Sequence, residues 1–204
     1  MTTGARDGSV LEAVVLAAGS ARRFGGGKLT APWGEGVLLD GALAAAFAAP
    51  VRTVTVVTGA QAETVAAAAR GYAARAGQAG RLRIVHTRDH AEGMAASLRA
   101  GIASLPRDAE GAFVFLGDMP RIPHAVLAPL AGEIAQGQAA AAPAFEGHRG
   151  HPAVFARAVF PDLLALSGDQ GARAVLERAG AALVAAPDDG VLFDVDEPGD
   201  LARG

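Results

Sequence analysis

Apolar positions in this chain come in two arrangements that alternate along its length. Short, mostly apolar runs rich in valine, leucine and other strand-forming residues, at residues 11–17, 53–58, 82–86 and 112–116, read as buried strands. Longer alanine-rich stretches at 60–76, 93–104 and 124–136 read as helices, the first broken by Gly77 and Gly80 and the second stopped before Pro106. The second half is less regular, with strands expected at 139–144, 153–155, 182–186 and 191–194 and a helix at 171–179. Strands alternating with helices predict an α/β fold: a three-layer α/β/α domain around a mostly parallel mixed sheet. No internal repeat, linker or low-complexity tract beyond alanine enrichment interrupts the pattern. Residues 11–204 are therefore expected to form one domain behind a flexible N-terminus at 1–10.

Composition narrows the function classes. With 51% hydrophobic residues and a net charge of −3 over 204 residues, the chain is neither disordered nor built around a broad nucleic-acid-binding face. It has no cysteine, so disulfide frameworks and thiolate metal sites are excluded. The first ten residues lack an apolar signal core, and no apolar run approaches the roughly eighteen residues of a membrane span. A soluble, cytoplasmic protein that binds neither membrane nor nucleic acid is expected.

Charge changes the picture at one place. Of 18 basic side chains, the one lysine is Lys28, which closes the glycine-rich segment Leu16-Ala17-Ala18-Gly19-Ser20-Ala21-Arg22-Arg23-Phe24-Gly25-Gly26-Gly27-Lys28. The segment leaves the carboxyl end of the first strand, the edge at which open α/β sheets bind ligands. Its glycines let backbone N–H groups turn inward, and Arg23 and Lys28 add positive charge, as a phosphate site requires. Two named loops are excluded. A Walker loop needs glycine where Arg22 stands and a Ser or Thr where Leu29 stands. The dinucleotide fingerprint needs a second glycine where Ala21 stands. A flexible Gly/Arg-rich connector remains the bland alternative.

Acidic residues at two expected strand ends could converge on the same edge. Asp118 follows the fourth strand in Gly117-Asp118-Met119-Pro120, and Asp194 and Asp196 end the last expected strand. Magnesium takes one or two carboxylates plus substrate phosphates, so Asp118 and Asp196 form a plausible Mg2+ pair beside a phosphate loop. The alternatives are a turn residue for Asp118 and a helix cap for the Asp-Glu-Pro-Gly-Asp cluster.

The chain resembles a known family in five ordered motifs: Leu-Ala-Ala-Gly-x-x-x-Arg-x-Gly; Lys28-Leu29; Gly93-Met94-Ala95-Ala96-Ser97-Leu98-Arg99-Ala100-Gly101; Gly117-Asp118-Met119-Pro120; and Arg149-Gly150-His151-Pro152, with Gly168-Asp169-Gln170-Gly171-Ala172-Arg173 and Asp194-Val195-Asp196-Glu197-Pro198 as further likenesses. These are similar to motifs of the MobA-like nucleotidyltransferases, and most similar to those of the molybdenum cofactor cytidylyltransferases. Phe24 stands where that family usually has Met, and Thr30-Ala31 follow where leucine is common. The resemblance implies a Rossmann-like nucleotidyltransferase fold and transfer of CMP from CTP to the terminal phosphate of molybdopterin, with release of pyrophosphate.

Residue roles follow from the resemblance. Arg23, Lys28 and Asp118 would be catalytic; Leu16, Ala17, Ala18, Gly19, Arg23, Lys28, His90, Gly93 and Ser97 would bind the nucleotide; Arg149, Gly150 and His151 would bind the acceptor; Asp118 and Asp196 would hold Mg2+. Ser97 on a helix surface is an equally open reading. A zinc site at His148 and His151 is rejected for want of a third ligand. Ala18, where guanylyl-transferring relatives tend to have glycine, favours CTP over GTP by placing a methyl beside the base. The remaining alternatives are a guanylyltransferase on the same acceptor, a sugar-phosphate nucleotidyltransferase, and a molybdenum cofactor carrier that delivers to a molybdenum-containing oxidoreductase.

Overall fold

A computed structural model describes residues 10–19, 24–168 and 171–203. The expected flexible N-terminus at 1–10 falls almost wholly outside these residues, as do Arg22, Arg23, Asp169 and Gln170. In chain order the elements are β1 (Leu11–Ala17), β2 (Pro32–Trp33), β3 (Gly36–Val37), α1 (Leu38–Ala48), β4 (Val54–Thr58), α2 (Ala62–Arg75), β5 (Leu82–His86) and α3 (Met94–Ala103). They continue with β6 (Gly111–Leu116), α4 (Leu127–Ala135), β7 (Ala140–Phe145), β8 (His148–Arg149), β9 (Ala153–Ala156), α5 (Phe160–Leu164), α6 (Arg173–Arg178) and β10 (Ala182–Ala185).

The main sheet runs β10-β7-β9-β6-β1-β4-β5, with β8 paired to β7. Strands β6, β1, β4 and β5 are parallel, and β10 is parallel to β7; β9 is antiparallel to both β6 and β7, which makes the sheet mixed. Alternation along the central strands sends side chains to two cores. Phe113 and Phe115 of β6 join a cluster with Leu39 and Leu43 of α1, Val65 of α2 and Leu130 of α4. Ala112 and Val114 face the opposite side, against Leu98 and Ile102 of α3, Leu163 of α5 and Val175 of α6. The three-layer, mostly parallel architecture expected from the alternating pattern is therefore present. Helix α3 lies close on its face: a β-carbon at Gly101 would come within 2.5 Å of Val14 Cγ1.

Two departures from expectation bear on function. Helix α1 has no counterpart in the alternating pattern, because it buries Leu38, Leu39, Ala42, Leu43, Ala45, Ala46 and Phe47 and so shows little polar face to reveal its period. The expected strand at 191–194 does not form. Both edges of β7 are already taken by β10 and β9, and the chain instead makes a single 3-10 turn at Asp189–Val191 and continues irregularly. Asp194 and Asp196 consequently sit on a loop and not at a strand end.

At the amino end of β1, Glu12 is wholly buried. Its carboxylate accepts from Arg52 Nε (2.6 Å), Thr53 N (3.0 Å) and Thr53 Oγ1 (2.5 Å), tying β1 to the start of β4.

Candidate active site

After β1 the chain turns through α1 to β4 on one side, and the chain later returns from β5 through α3 to β6 on the other. The direction of winding thus reverses beside β1, and the crevice outside such a reversal is where open α/β sheets bind ligands. A cleft of about 660 Å³ opens there. Leu16, Ala18 and Gly19 line it from the exit of β1, and Leu116 and Asp118 from the exit of β6. His90, Ala91, Gly93, Met94 and Ser97 form the wall before and along the start of α3, and Asp194 and Asp196 close it from the C-terminal loop.

The described part of the glycine turn has the positive φ values expected of it. Gly25, Gly26 and Gly27 all have positive φ, at 78°, 95° and 69°, which side chains with a β-carbon rarely adopt. Gly27 N–H donates to Gln61 Oε1 at 3.1 Å, anchoring the turn to the start of α2. The next residue, Lys28, sends its ammonium group behind the carboxylates. Nζ donates to Asp118 Oδ2 and to the Val195 carbonyl, both at 2.7 Å, and lies 3.8 Å from Asp196 Oδ1. The Val195 N–H in turn donates to the Asp118 carbonyl at 3.0 Å, so the loop carrying Asp194 and Asp196 is stitched to the exit of β6.

Charge in this corner is unbalanced. Burial, reinforced by the neighbouring Asp196 and Asp118 carboxylates, holds the Asp194 carboxyl above the usual carboxylate range, against the pull of Lys28. Among the described residues, no three acidic or imidazole side chains gather closely enough to enclose a metal. Two carboxylates, Asp118 and Asp196, nevertheless converge on one positive charge, a donor set suited to a hard cation that completes its shell with water and phosphate oxygens.

On the wall of the cleft before α3, His90 Nδ1 donates to the Thr87 carbonyl at 3.2 Å. Ser97 is buried on the first turns of α3. Gly59, just past β4, was missed by the sequence reading: a β-carbon there would come within 2.5 Å of the Ala18 carbonyl and 2.7 Å of His90 Cβ. Its position directly after a strand, at the ligand edge, was the available signal. Ala17 packs into the core and does not line the cleft.

The Arg149-Gly150-His151 segment follows a two-residue hairpin turn in which Glu146 and Gly147 both have positive φ. It lies beyond the cleft wall. Arg149 Nη2 donates to Glu177 Oε1 of α6 at 3.2 Å, and Arg173 Nε shares that oxygen at 3.0 Å. Gly150 lets the segment press against the Val191 carbonyl, which His151 N–H meets at 2.9 Å. The peptide between His151 and Pro152 is cis. Burial pushes the His151 imidazole below its ordinary pKa, overriding the nearby Asp118 charge, and leaves its Nδ1 without a partner among the described residues. Arg23, expected at the phosphates, lies outside the described residues.

A parallel sheet that delivers a glycine turn, a lysine and paired aspartates to one crevice is the layout of a nucleotidyltransferase. The chain matches the family model of the MobA-like NTP transferase domain over residues 13–183, and it belongs to that family. Its fold is similar to that of a Rv0371c homolog from Mycobacterium sp. strain JC1, with a TM-score of 0.79 and 31% identity over 95% of this chain and 93% of that one. Rv0371c from Mycobacterium tuberculosis H37Rv, in a complex with manganese, aligns with a TM-score of 0.76 and 25% identity over 96% and 97% of the two chains. Molybdopterin-guanine dinucleotide biosynthesis protein A from Archaeoglobus fulgidus shares the fold, with a TM-score of 0.66 and 20% identity over 94% and 95%. No curated protein sequence matches the chain. Among the described residues, no helix is long and apolar enough to cross a membrane.

Proposed function

We propose that this nucleotidyltransferase moves CMP from CTP to the terminal phosphate of molybdopterin and releases pyrophosphate. The observation that carries the reading is the meeting of Lys28, Asp118 and Asp196 at the floor of the crevice, one step from the glycine turn. A terminal phosphate oxygen of the acceptor attacks the α-phosphorus of CTP, a new P–O bond forms, and the bond to the β-phosphate oxygen breaks. A phosphate acceptor is already ionised at neutral pH, so no general base is needed. The need is for positive charge where the acceptor and the triphosphate repel. Lys28, Arg23 and the N–H groups of the glycine turn supply it along the β- and γ-phosphates. Asp118 and Asp196 would hold Mg2+, which would supply charge neutralisation at the phosphates.

The nucleoside lies along Leu16, Ala18, Gly19, His90, Gly93 and Ser97, which share the cleft wall. Ala18 is buried, with its methyl directed at the corner where Gly59 and His90 meet. That methyl narrows the base end and favours a pyrimidine. Arg149, Gly150 and His151 serve the acceptor. Support for a molybdopterin acceptor comes from the Arg149-Gly150-His151-Pro152 motif, and the fold is one that the Archaeoglobus molybdopterin-guanine dinucleotide biosynthesis protein shares.

The test is pyrophosphate release with Mg2+ and molybdopterin, in metal-free and molybdenum-loaded forms, comparing CTP, GTP, ATP and UTP. Release with CTP that disappears in Asp118→Ala is expected. Preference for GTP would reassign the base, turnover of sugar 1-phosphates would reassign the acceptor, and tight pterin binding with no release from any nucleotide would point to a carrier.

A further inference from the structure

The loop carrying Asp194 and Asp196 belongs to no strand, so something other than a β-ladder must hold it. After Asp194 the anchors are clear. Val195 is fully buried and donates its N–H to the Asp118 carbonyl, while Asp200 Oδ2 accepts from the N–H groups of Asp196 and Glu197 at 3.1 and 3.0 Å. Before Asp194, beyond the buried Val191 whose carbonyl accepts from the His151 N–H, the side-chain anchor is the ring of Phe193. Its face is covered by the guanidinium of Arg121, 4.3 Å from the ring centroid, and the indole of Trp33 lies 6.1 Å away at a tilt of 37°. The same guanidinium is 5.8 Å from the Trp33 ring.

Each member of this trio comes from a segment that carries a charged group of the active site. Arg121 follows Asp118 by three residues, Trp33 follows Lys28 by five, and Phe193 directly precedes Asp194. Among the described residues, no carboxylate pairs with Arg121, and Arg121 does not line the cleft. The backbone reinforces the contact, since Gly190 packs against the Arg121 carbonyl so tightly that a β-carbon would strike it.

We infer that Arg121 is a positioning residue: its guanidinium, laid on Phe193 and Trp33, clamps the Asp194–Asp196 loop against the exit of β6 and the lysine turn, and so sets the spacing of the carboxylates. A planar cation over an aromatic face is attracted by the ring quadrupole and keeps its edge solvated, which suits a half-exposed joint between three loops. The inference rests on the proposed metal role of Asp118 and Asp196 and on nothing about the nucleotide or acceptor.

The experiment compares the full-length wild type with Arg121→Ala and Arg121→Lys by amide hydrogen exchange, by Mn2+ binding to the nucleotide-free protein, and by emission of Trp33, the one tryptophan. In Arg121→Ala, exchange across 191–197 should rise about fivefold and the Mn2+ Kd by a similar factor, with Trp33 emission shifted and exchange in β1 unchanged. Lysine, which keeps the charge without the planar stack, should restore part of each. Unchanged exchange across 191–197 overturns the clamp, and so does a rise spread evenly through β1 and β6, which reports general loss of stability. If the wild type takes up no Mn2+, the metal assignment of the proposed function fails, while the exchange comparison still decides the clamp.

Discussion

Lys28 occupies the place of a cation. Its ammonium takes the Asp118 carboxylate and the Val195 carbonyl at 2.7 Å each and stands within 3.8 Å of Asp196, so a divalent ion using those oxygens must displace it. Displacement would release the ammonium toward arriving phosphates, coupling metal and triphosphate entry. Lys28→Met removes the competitor: Mn2+ affinity of the nucleotide-free protein should rise about tenfold, the scale of one charge-assisted contact, while turnover falls. Calorimetric titration with Mn2+ decides it, and weaker Mn2+ binding in the variant would show that Lys28 holds the carboxylates together more than it blocks them. The sequence revealed the residue types here and not their pairing. Lys28 and Asp118 are 90 positions apart, and only the parallel register of β1 with β6 brings them together. Asp194 was visible as an acid, but its crowding by Asp196 and Asp118 depends on the loop that replaced the expected strand.

His151 supplies a pH prediction at the same scale. Its folded-state pKa lies below the ordinary 6.5, so the unfolded chain binds the proton more readily. Stability from this group is therefore complete above 6.5 and is lost as pH falls through 6.5 toward the lower folded value. Urea titrations between about pH 5 and 7 should show a smaller acid-side loss in His151→Leu than in the wild type. Equal slopes would mean that the imidazole is protonated as easily in the folded protein as in the unfolded chain.

Among elements, β1 does two jobs at its two ends. Its carboxyl end opens the cleft, and its amino end holds the buried Glu12, whose carboxylate satisfies the Thr53 N–H and hydroxyl and pairs with Arg52. Arg52 also forks onto Asp108, at 2.7 and 2.9 Å, which lowers that carboxyl to about 2. Glu12→Ala orphans a buried N–H and leaves a cavity, at a cost of about 3 kcal/mol, or roughly 6–12 °C in Tm for a chain of this size. Glu12 lies five residues from Ala17, roughly 16 Å at strand rise, so kcat per folded molecule should stay unchanged. A fall in kcat with no fall in Tm would contradict this division. The strand itself was legible from its apolar run, broken only by Glu12, since burial on both faces of a parallel sheet leaves that signature. Helix α1 was not, for the converse reason: a helix buried on most of its surface has no polar stripe to betray its period.

On the scale of the whole molecule, the sheet divides into a half that reads plainly and a half that does not. The parallel half, β6-β1-β4-β5, carries the glycine turn, Asp118 and the cleft wall before α3, and regular alternation of strand and helix announced it. The other half turns on β9, antiparallel to both neighbours, and on short strands, turns and loops whose order follows from packing more than from period. Arg149 belongs to this second half. Its guanidinium is held by Glu177, shared with Arg173, outside the cleft wall proposed for the nucleotide. If the halves divide the substrates, removing Arg149 must burden the acceptor alone. Arg149→Ala should raise the KM for molybdopterin about 10- to 100-fold, the worth of one charged hydrogen bond to phosphate, and leave the KM for Mg-CTP within about twofold. Glu177→Gln keeps the hydrogen bond and weakens the hold on Arg149, so a smaller rise in the same constant is expected. Steady-state kinetics with each substrate varied in turn separate the cases. An equal rise in both KM values would mean that Arg149 supports the whole crevice and that the division fails.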